Sequence, residues 1–402
     1  MQQTPEKEVS AAGFPVHLHG FSAIDSYLGR SSSRAVHLLC GADPADLARL
    51  FEGLRYPGAG FADAAVDSGG KTWYFRCHDA PDGIGQDGHR ASFGLLEFYR
   101  DCRTGRFLDP GGIYPVLRGI KDTQTATDTD PKGESGDGVL QNRSHRSDPG
   151  RAVIDGAMIL ARYFPNTGAG KIKAAAAGLR GHGEDAFPGT IPGAEEQRLL
   201  LTELLDVQHP SVGFEFLKES GFIAACWPEL ASMDDVDHSK EFHPEGNVWK
   251  HTMETLRYRK PGGQGAGFDL RLSLGLLLHD VGKPISQAAS RRRFDGHAEL
   301  GEVQARRFLA RLGFDAQLIR DVCYLVRNHM LPAALPRLPL FRTGEKMESP
   351  LFPLLMELYR CDESSSFKGL DGYYRSSAAY RSYQKHRRNP YRSADGKKLR
   401  PE

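Results

Sequence analysis

With 402 residues the chain has room for two or three domains, at roughly 100–200 residues each. Its 40% hydrophobic and 26% charged residues are ordinary for a globular protein, and a net charge of +1 by itself singles out neither nucleic acid nor membrane as a partner. No run of about 18 apolar residues exists, so no membrane-spanning helix and no membrane partner are expected.

The opening stretch MQQTPEKEVSAAGFPV mixes charges of both signs and has no apolar centre, which does not read as a signal peptide. The six cysteines are dispersed with no CxxC pair, arguing against disulfides and thiolate zinc sites. A cytoplasmic location is the resulting expectation.

Residues 14–120 read as mixed α/β. The apolar runs Ala35–Cys40 and Thr72–Cys77 predict strands, and Asp43–Leu54 predicts an amphipathic helix with Pro44 in its first turn. Residues 121–146 are rich in Asp, Thr, Gly and Ser with almost no apolar side chains; they predict a flexible insertion. From 147 the 3.6-residue period dominates. It predicts helices over Arg151–Tyr163, Glu195–Leu205, Val212–Glu219, Asn247–Tyr258, Leu270–His279, His297–Leu312, Ala316–His329 and Leu351–Cys361. The fold class is therefore α+β, divided as an α/β head (14–120), the insertion, a helical neck and body (147–235), an all-α domain (236–380) and a basic tail (381–402). That tail reads first as a solvated end. Its density of Lys and Arg also suits phosphate contact through counterion release.

The chemistry concentrates in LLLHDVGKP, residues 276–284. His279 and Asp280 stand together at the end of an apolar helix, and imidazole nitrogen with carboxylate oxygen suits a divalent cation. Upstream, His251 falls within a helix. Downstream, His297 falls at a helix start, His329 near a helix end and Asp362 late in another helix. This order of His, His-Asp, His, His and Asp resembles the HD superfamily of metal-dependent phosphohydrolases over about residues 240–370. The resemblance implies that His251, His279, Asp280 and Asp362 hold a first metal, with His297 and His329 as ligands where a second is used. Asp280 would be catalytic, and Lys283 would steady a substrate phosphate as a point charge. One or two divalent ions (Mn2+, Fe2+, Mg2+ or Zn2+) are implied, lowering the pKa of bound water and neutralising charge on the phosphoryl oxygens. His243 reads as structural.

The phrase EFHPEGNVWKHT is similar to the HD domain appended to bacterial tRNA nucleotidyltransferases, the CCA-adding and poly(A) polymerase family. That family's head carries Gly-Gly-x-Val-Arg-Asp and Leu-x-Gly-Arg. In HGFSAIDSYLGR, Gly20, Asp25, Gly29 and Arg30 match, while Phe21 and Ile24 replace a glycine and an arginine. The metal-binding Asp-x-Asp that should follow is lost, its places falling on Arg34 and Val36 or on Ala35 and His37. In HRASFGLLEFYRDCRTGRFLDPGG, Arg90 and Phe93 match and the TGRFLDPGG turn survives, whereas Ala91 and Ser92 replace Arg and Asp. In SDPGRAVIDGAMILARYF, Asp148 and Arg151 match. Gly20, Asp25, Arg30, Arg90, Asp148 and Arg151 are the nucleotide-binding candidates that the resemblance supplies.

These readings lead to a metal-dependent phosphohydrolase or phosphodiesterase acting on a nucleotide or RNA-derived phosphate ester, with a degenerate head that positions RNA or a nucleotide. Two alternatives stand beside it. One is nucleotidyl transfer to tRNA or RNA 3′ ends, with Asp25 joined by Asp43 or Asp63 as metal ligands. The other is a non-catalytic RNA-binding protein using the head and basic tail.

Overall fold

A computed structural model describes residues 4–30, 34–57, 62–77, 97–110, 112–125, 149–179, 187, 190–237, 246–261, 268–289, 294–367, 369–387, 389, 391 and 398. The chain divides into two compact units, Met1–Cys226 and Trp227–Glu402.

In the first unit, β1 (Val16–His19), β2 (Ala35–Cys40), β3 (Ala64–Ser68), β4 (Lys71–Cys77), β5 (Tyr99–Asp101) and β6 (Phe107–Leu108) form a sheet of order β3-β4-β2-β1-β5-β6. β2 and β4 pair in parallel and the other neighbours antiparallel. The helices are α1 (Pro5–Ala11), α2 (Phe21–Leu28), α3 (Pro44–Leu50), α4 (Tyr114–Thr125), α5 (Pro149–Tyr163), α6 (Ala169–Ala177), α7 (Ala194–Leu205), α8 (Ser211–Glu219) and α9 (Phe222–Cys226).

Strand alternation gives the sheet two different faces. On one, Val16, Val36, Leu38, Val66, Trp73 and Phe75 pack with Leu47 and Phe51. The other carries Ala35, His37, Tyr74 and Tyr99. A separate core joins Ala23 and Ile24 of α2, Leu117 and Ile120 of α4, and Ala152 and Ile159 of α5 around Phe98.

Local chemistry sets the element ends. Asp43 caps α3 by accepting from the Asp46 amide at 2.8 Å, completing a capping box with Pro44 in the first turn. The surviving LDPGG turn owes its shape to Asp109, which accepts from the amides of Ile113 (2.8 Å) and Tyr114 (2.9 Å) at the start of α4.

Some expectations need correction. The helix predicted to Leu54 stops at Leu50, because Phe51 is extended and turns its ring into the core. Residues 121–125, expected to open a flexible insertion, are instead the end of helix α4, which Leu117 and Ile120 anchor; residues 126–148 lie outside those described. Helices α1, α2 and α4 were not expected from the sequence.

The helices of the second unit are α10 (Pro228–Ala231), α11 (Val248–Arg257), α12 (Leu270–Leu278), α13 (Lys283–Ala288), α14 (His297–Arg311), α15 (Ala316–Asn328), α16 (Leu331–Ala334), α17 (Leu340–Glu348), α18 (Phe352–Ser364) and α19 (Asp371–Arg387), with a single antiparallel bridge between Asp237 and Asn247 among its described residues. Apolar α12 is central, packing against α11, α15 and α18. Gly275 permits that approach, since a Cβ there would meet Leu325 at 3.0 Å and Leu358 at 3.2 Å. The basic tail expected from 381 starts inside α19, where Tyr383 is buried and holds the helix down. No helix is long and apolar enough to cross a membrane among the described residues.

Candidate metal centre

Five helix ends deliver the predicted ligands to one place in the second unit. Asn247 caps α11 by accepting from the Lys250 amide, which sets the first turn carrying His251. His279 and Asp280 follow the apolar α12, and His297 opens α14. His329 caps α15, and Asp362 sits in the last turn of α18. All but Asp362 are nearly inaccessible; the side chain of Asp362 is 26% exposed and marks the open side of the cluster.

The imidazoles are oriented by their Nδ1–H groups. His279 donates to the Leu276 carbonyl at 2.7 Å, His297 to Phe294 at 2.8 Å and His329 to Val326 at 2.7 Å. His251 meets the Ser365 hydroxyl at 3.3 Å, which itself donates to the Asp362 carbonyl. The three carbonyl-bound rings, His279, His297 and His329, are thereby fixed in the tautomer that turns an unprotonated Nε2 inward, a pattern usual for metal-bound histidine, whereas His251 Nε2 hydrogen-bonds the Asp362 carboxylate. Phe294 reaches its place with φ at 61°, a left-handed conformation costly for a bulky side chain and more often tolerated at functional sites.

Around the inward nitrogens, His251 Nε2 lies 3.1 Å from Asp362 Oδ1 and His279 Nε2 lies 3.3 Å from Asp280 Oδ2. Asp280 Oδ1 is 3.6 Å from His297 Nε2 and 3.8 Å from His329 Nε2. Two triads result, His251/His279/Asp362 and Asp280/His297/His329, each with ligand atoms within 4.8 Å of one another. This partition differs from the first-metal set read from sequence. Asp280 turns one oxygen to each side and falls between the triads.

Two observations test whether a cation fits. His279 Nε2 is buried with no hydrogen-bond partner. His297 Nε2 and His329 Nε2 face each other at 3.0 Å although both rings already donate through Nδ1; two opposed lone pairs repel unless a cation or proton lies between them. That spacing suits two ligands on one ion at about 2.1 Å each.

Electrostatics agree with ligand duty. Burial lowers His329 to about 3, with His279 adding to the effect against the pull of Asp280, and burial likewise lowers His297. Both rings therefore stay neutral. Burial works to raise Asp362, but the His251 hydrogen bond and nearby imidazoles outweigh it and hold the carboxyl below the usual range. Lys283 Nζ donates to Asp280 Oδ2 at 2.5 Å and lies 5.6 Å from the Phe294 ring centre.

Residues 248–363 match the HD domain family. The second unit carries an HD domain. The chain is also 32% identical over 149 residues to the CC-adding tRNA nucleotidyltransferase of Thermus thermophilus, a match covering 36% of this chain and 33% of that protein. The match thus spans about a third of that relative's length. The Multifunctional CCA protein of Acinetobacter baumannii is 23% identical over 355 residues, covering 83% of this chain and 81% of that one. A solved CCA-adding enzyme in complex with ATP is similar at 11% identity and a TM-score of 0.45, covering 94% of this chain and 81% of that one. The HD domain is fused to a nucleotidyltransferase-like head.

In that head the nucleotide-binding candidates have protein partners. Asp25 is buried, bound by Arg162 at 2.7 Å and the Tyr163 hydroxyl at 2.9 Å. Arg30 donates to the Arg162 carbonyl, and Arg151 bridges Asp155 and Glu196. Gly20 starts α2 with φ at 55° and donates to the Phe98 carbonyl at 3.0 Å. Arg90, Phe93, Asp148 and His243 lie outside the described residues. Ser365 and Phe294, which orient ligands in the HD cluster, were missed in the sequence because neither belongs to a ligand motif. His19 could have been found from the alternation of the VHLH strand.

Proposed function

We propose that this chain is a metal-dependent hydrolase of phosphate esters working at the HD cluster. The observation that carries the reading is the convergence of four carbonyl- or hydroxyl-oriented imidazoles with two carboxylates in one cluster. One or two divalent ions held there would polarise a phosphoryl oxygen and supply a water of lowered pKa. His251, His279 and Asp362 would hold one side, His297 and His329 the other, with Asp280 between. Lys283, which pairs with Asp280, would neutralise the phosphate. The names of the relatives support a nucleotide or the end of an RNA as the ester's source. Metal-loaded protein is expected to hydrolyse phosphomonoesters, 2′,3′-cyclic nucleotides or bis(p-nitrophenyl) phosphate. No turnover of any of them with Mn2+, Fe2+, Mg2+ or Zn2+ would end this reading.

A second reading is nucleotidyl transfer to tRNA 3′ ends, and the comparisons favour it over the first, since the relatives are named for that reaction. The head's residues weigh the other way. Asp25 is tied to Arg162 and Tyr163, Asp43 caps α3, and Asp63 Oδ2 accepts from the Cys77 amide at 2.8 Å. Among the described residues no carboxylate cluster suited to a metal lies in the first unit. Incorporation of labelled CTP or ATP into tRNA lacking its terminus decides between the two. A third reading, RNA binding without catalysis, is supported by Arg381 and Lys385, which are exposed on α19.

A further inference from the structure

The sheet face opposite the Val36–Phe75 core holds a row of four rings that the HD reading does not use. His37 of β2 is in register with Tyr74 of β4, and His19 of β1 is in register with Tyr99 of β5. The β1–β2 register, which pairs Leu18 with Leu38, brings His19 opposite His37 one step on. The order across four adjacent strands is Tyr74, His37, His19, Tyr99. The outer pairs stack, with ring centroids 5.5 Å apart for His37–Tyr74 and 5.1 Å for His19–Tyr99. Stacking on the tyrosines fixes the imidazole planes.

The row is recessed and polar. Tyr74 and Tyr99 are buried, yet His19 and His37 remain partly reached by solvent. Among the described residues no hydrogen bond engages the ring nitrogens of either histidine. Arg76 stands on the same face, in register with Leu39 and two residues beyond Tyr74. The charges that act on His37, after burial, are those of His19, Arg151, Arg162 and Arg76; on His19 they are Arg76 and Arg151. Unsatisfied imidazole edges in a field of guanidinium groups suit an anion. Asp63 and Asp155 act on Arg76, and Arg151 and Arg162 are paired with Asp155, Glu196, Asp25 and Glu203, so an anion's direct partners on this face would be the imidazole edges and Arg76.

We propose that the head binds a phosphoryl anion directly, without a divalent cation, on the imidazole edges of His19 and His37 and the guanidinium of Arg76. The site stands on the sheet face where Ala35 and His37 occupy one of the two possible alignments of the missing Asp-x-Asp. A phosphate would be held by N–H donors in place of carboxylate-bound metal. The proposal is independent of the HD chemistry.

Pyrophosphate is the probe, titrated calorimetrically into the full chain in the presence of EDTA. Binding is expected without added metal. His37→Phe, which keeps a ring to stack on Tyr74 but removes both nitrogens, should weaken it about tenfold or more, and Arg76→Met similarly. His37→Gln, which keeps a donor, should retain part of the affinity. His37→Phe and His37→Gln should match the wild type in thermal unfolding at pH 7.5, and all three variants should match it in the metal content of the HD domain, separating this site from the other. ATP and hexauridylate, tested as competitors, tell whether the phosphoryl group comes from a mononucleotide or an RNA backbone. Binding that appears only with Mg2+, or that is untouched in both His37→Phe and Arg76→Met, would overturn the proposal.

Discussion

Two groups of buried imidazoles in this chain point to opposite ligands, and the difference lies in their neighbours. In the HD domain, His251, His279, His297 and His329 surround Asp280 and Asp362, so the inward lone pairs and carboxylates together suit a cation. On the head's sheet, His19 and His37 lie between tyrosines, and the charges that act on both are the guanidinium groups of Arg76 and Arg151. Burial lowers the pKa of histidine in both places, to about 3 for His329, His19 and His37 alike. A lowered imidazole pKa therefore does not identify a metal site. The sign of the surrounding charge does.

The comparison breaks hardest at the head's ionic network. Arg162 joins Asp25 and Glu203 with 7% of its side chain exposed. Arg162→Met strips a guanidinium from two buried carboxylates and is expected to lower stability by about 3–5 kcal/mol. Denaturant unfolding checks this, while the HD domain's metal content should stay unchanged.

Gly282→Ala makes the opposite cut. A Cβ there would stand 2.1 Å from the His297 carbonyl and 2.4 Å from the Gly301 amide, both backbone atoms. The expected cost is about 1–3 kcal/mol, with weakened metal binding as His297 is displaced and no effect on pyrophosphate binding by the head.

Acid sharpens the contrast more gently. His19 and His37 titrate near 3 in the folded chain and near 6.5 when unfolded. Below pH 6.5 the unfolded chain takes up protons that the native head does not, so stability falls as pH drops from 6.5 toward 3. Each histidine contributes up to about 1.4 kcal/mol per pH unit in that window and nothing above it. Urea unfolding at pH 7.5 and 5.5 should show the loss, and His37→Phe should reduce it. An unchanged slope in that variant would mean that His37 is protonated in the fold.

Much of this was legible in the sequence. Strand β2 and helices α5, α7, α8, α11, α12, α14, α15 and α18 follow from apolar periodicity and lie within a few residues of expectation. Motif order alone named His251, His279, Asp280, His297, His329 and Asp362. The pairing of Asp280 with His297 and His329 was not legible, because it depends on how the end of α12 is aimed between α14 and α15. Nor was the ring row, which exists only through register: His19 and His37 are 18 residues apart and meet Tyr74 and Tyr99 across two further strands. The short helix α2 was hidden because the stretch read as a glycine motif, although its ends are set by Gly20 and Gly29 at positive φ.

The central claim is that the HD cluster is a working metal centre, and elemental analysis of the purified protein tests it most directly. One or two equivalents of a transition metal are expected in the wild type after incubation with Mn2+, Fe2+ or Zn2+. In Asp280→Ala, which removes the carboxylate shared by both triads, affinity should fall at least about 100-fold. A wild type that stays empty, or an Asp280→Ala variant that keeps its metal, would contradict the account.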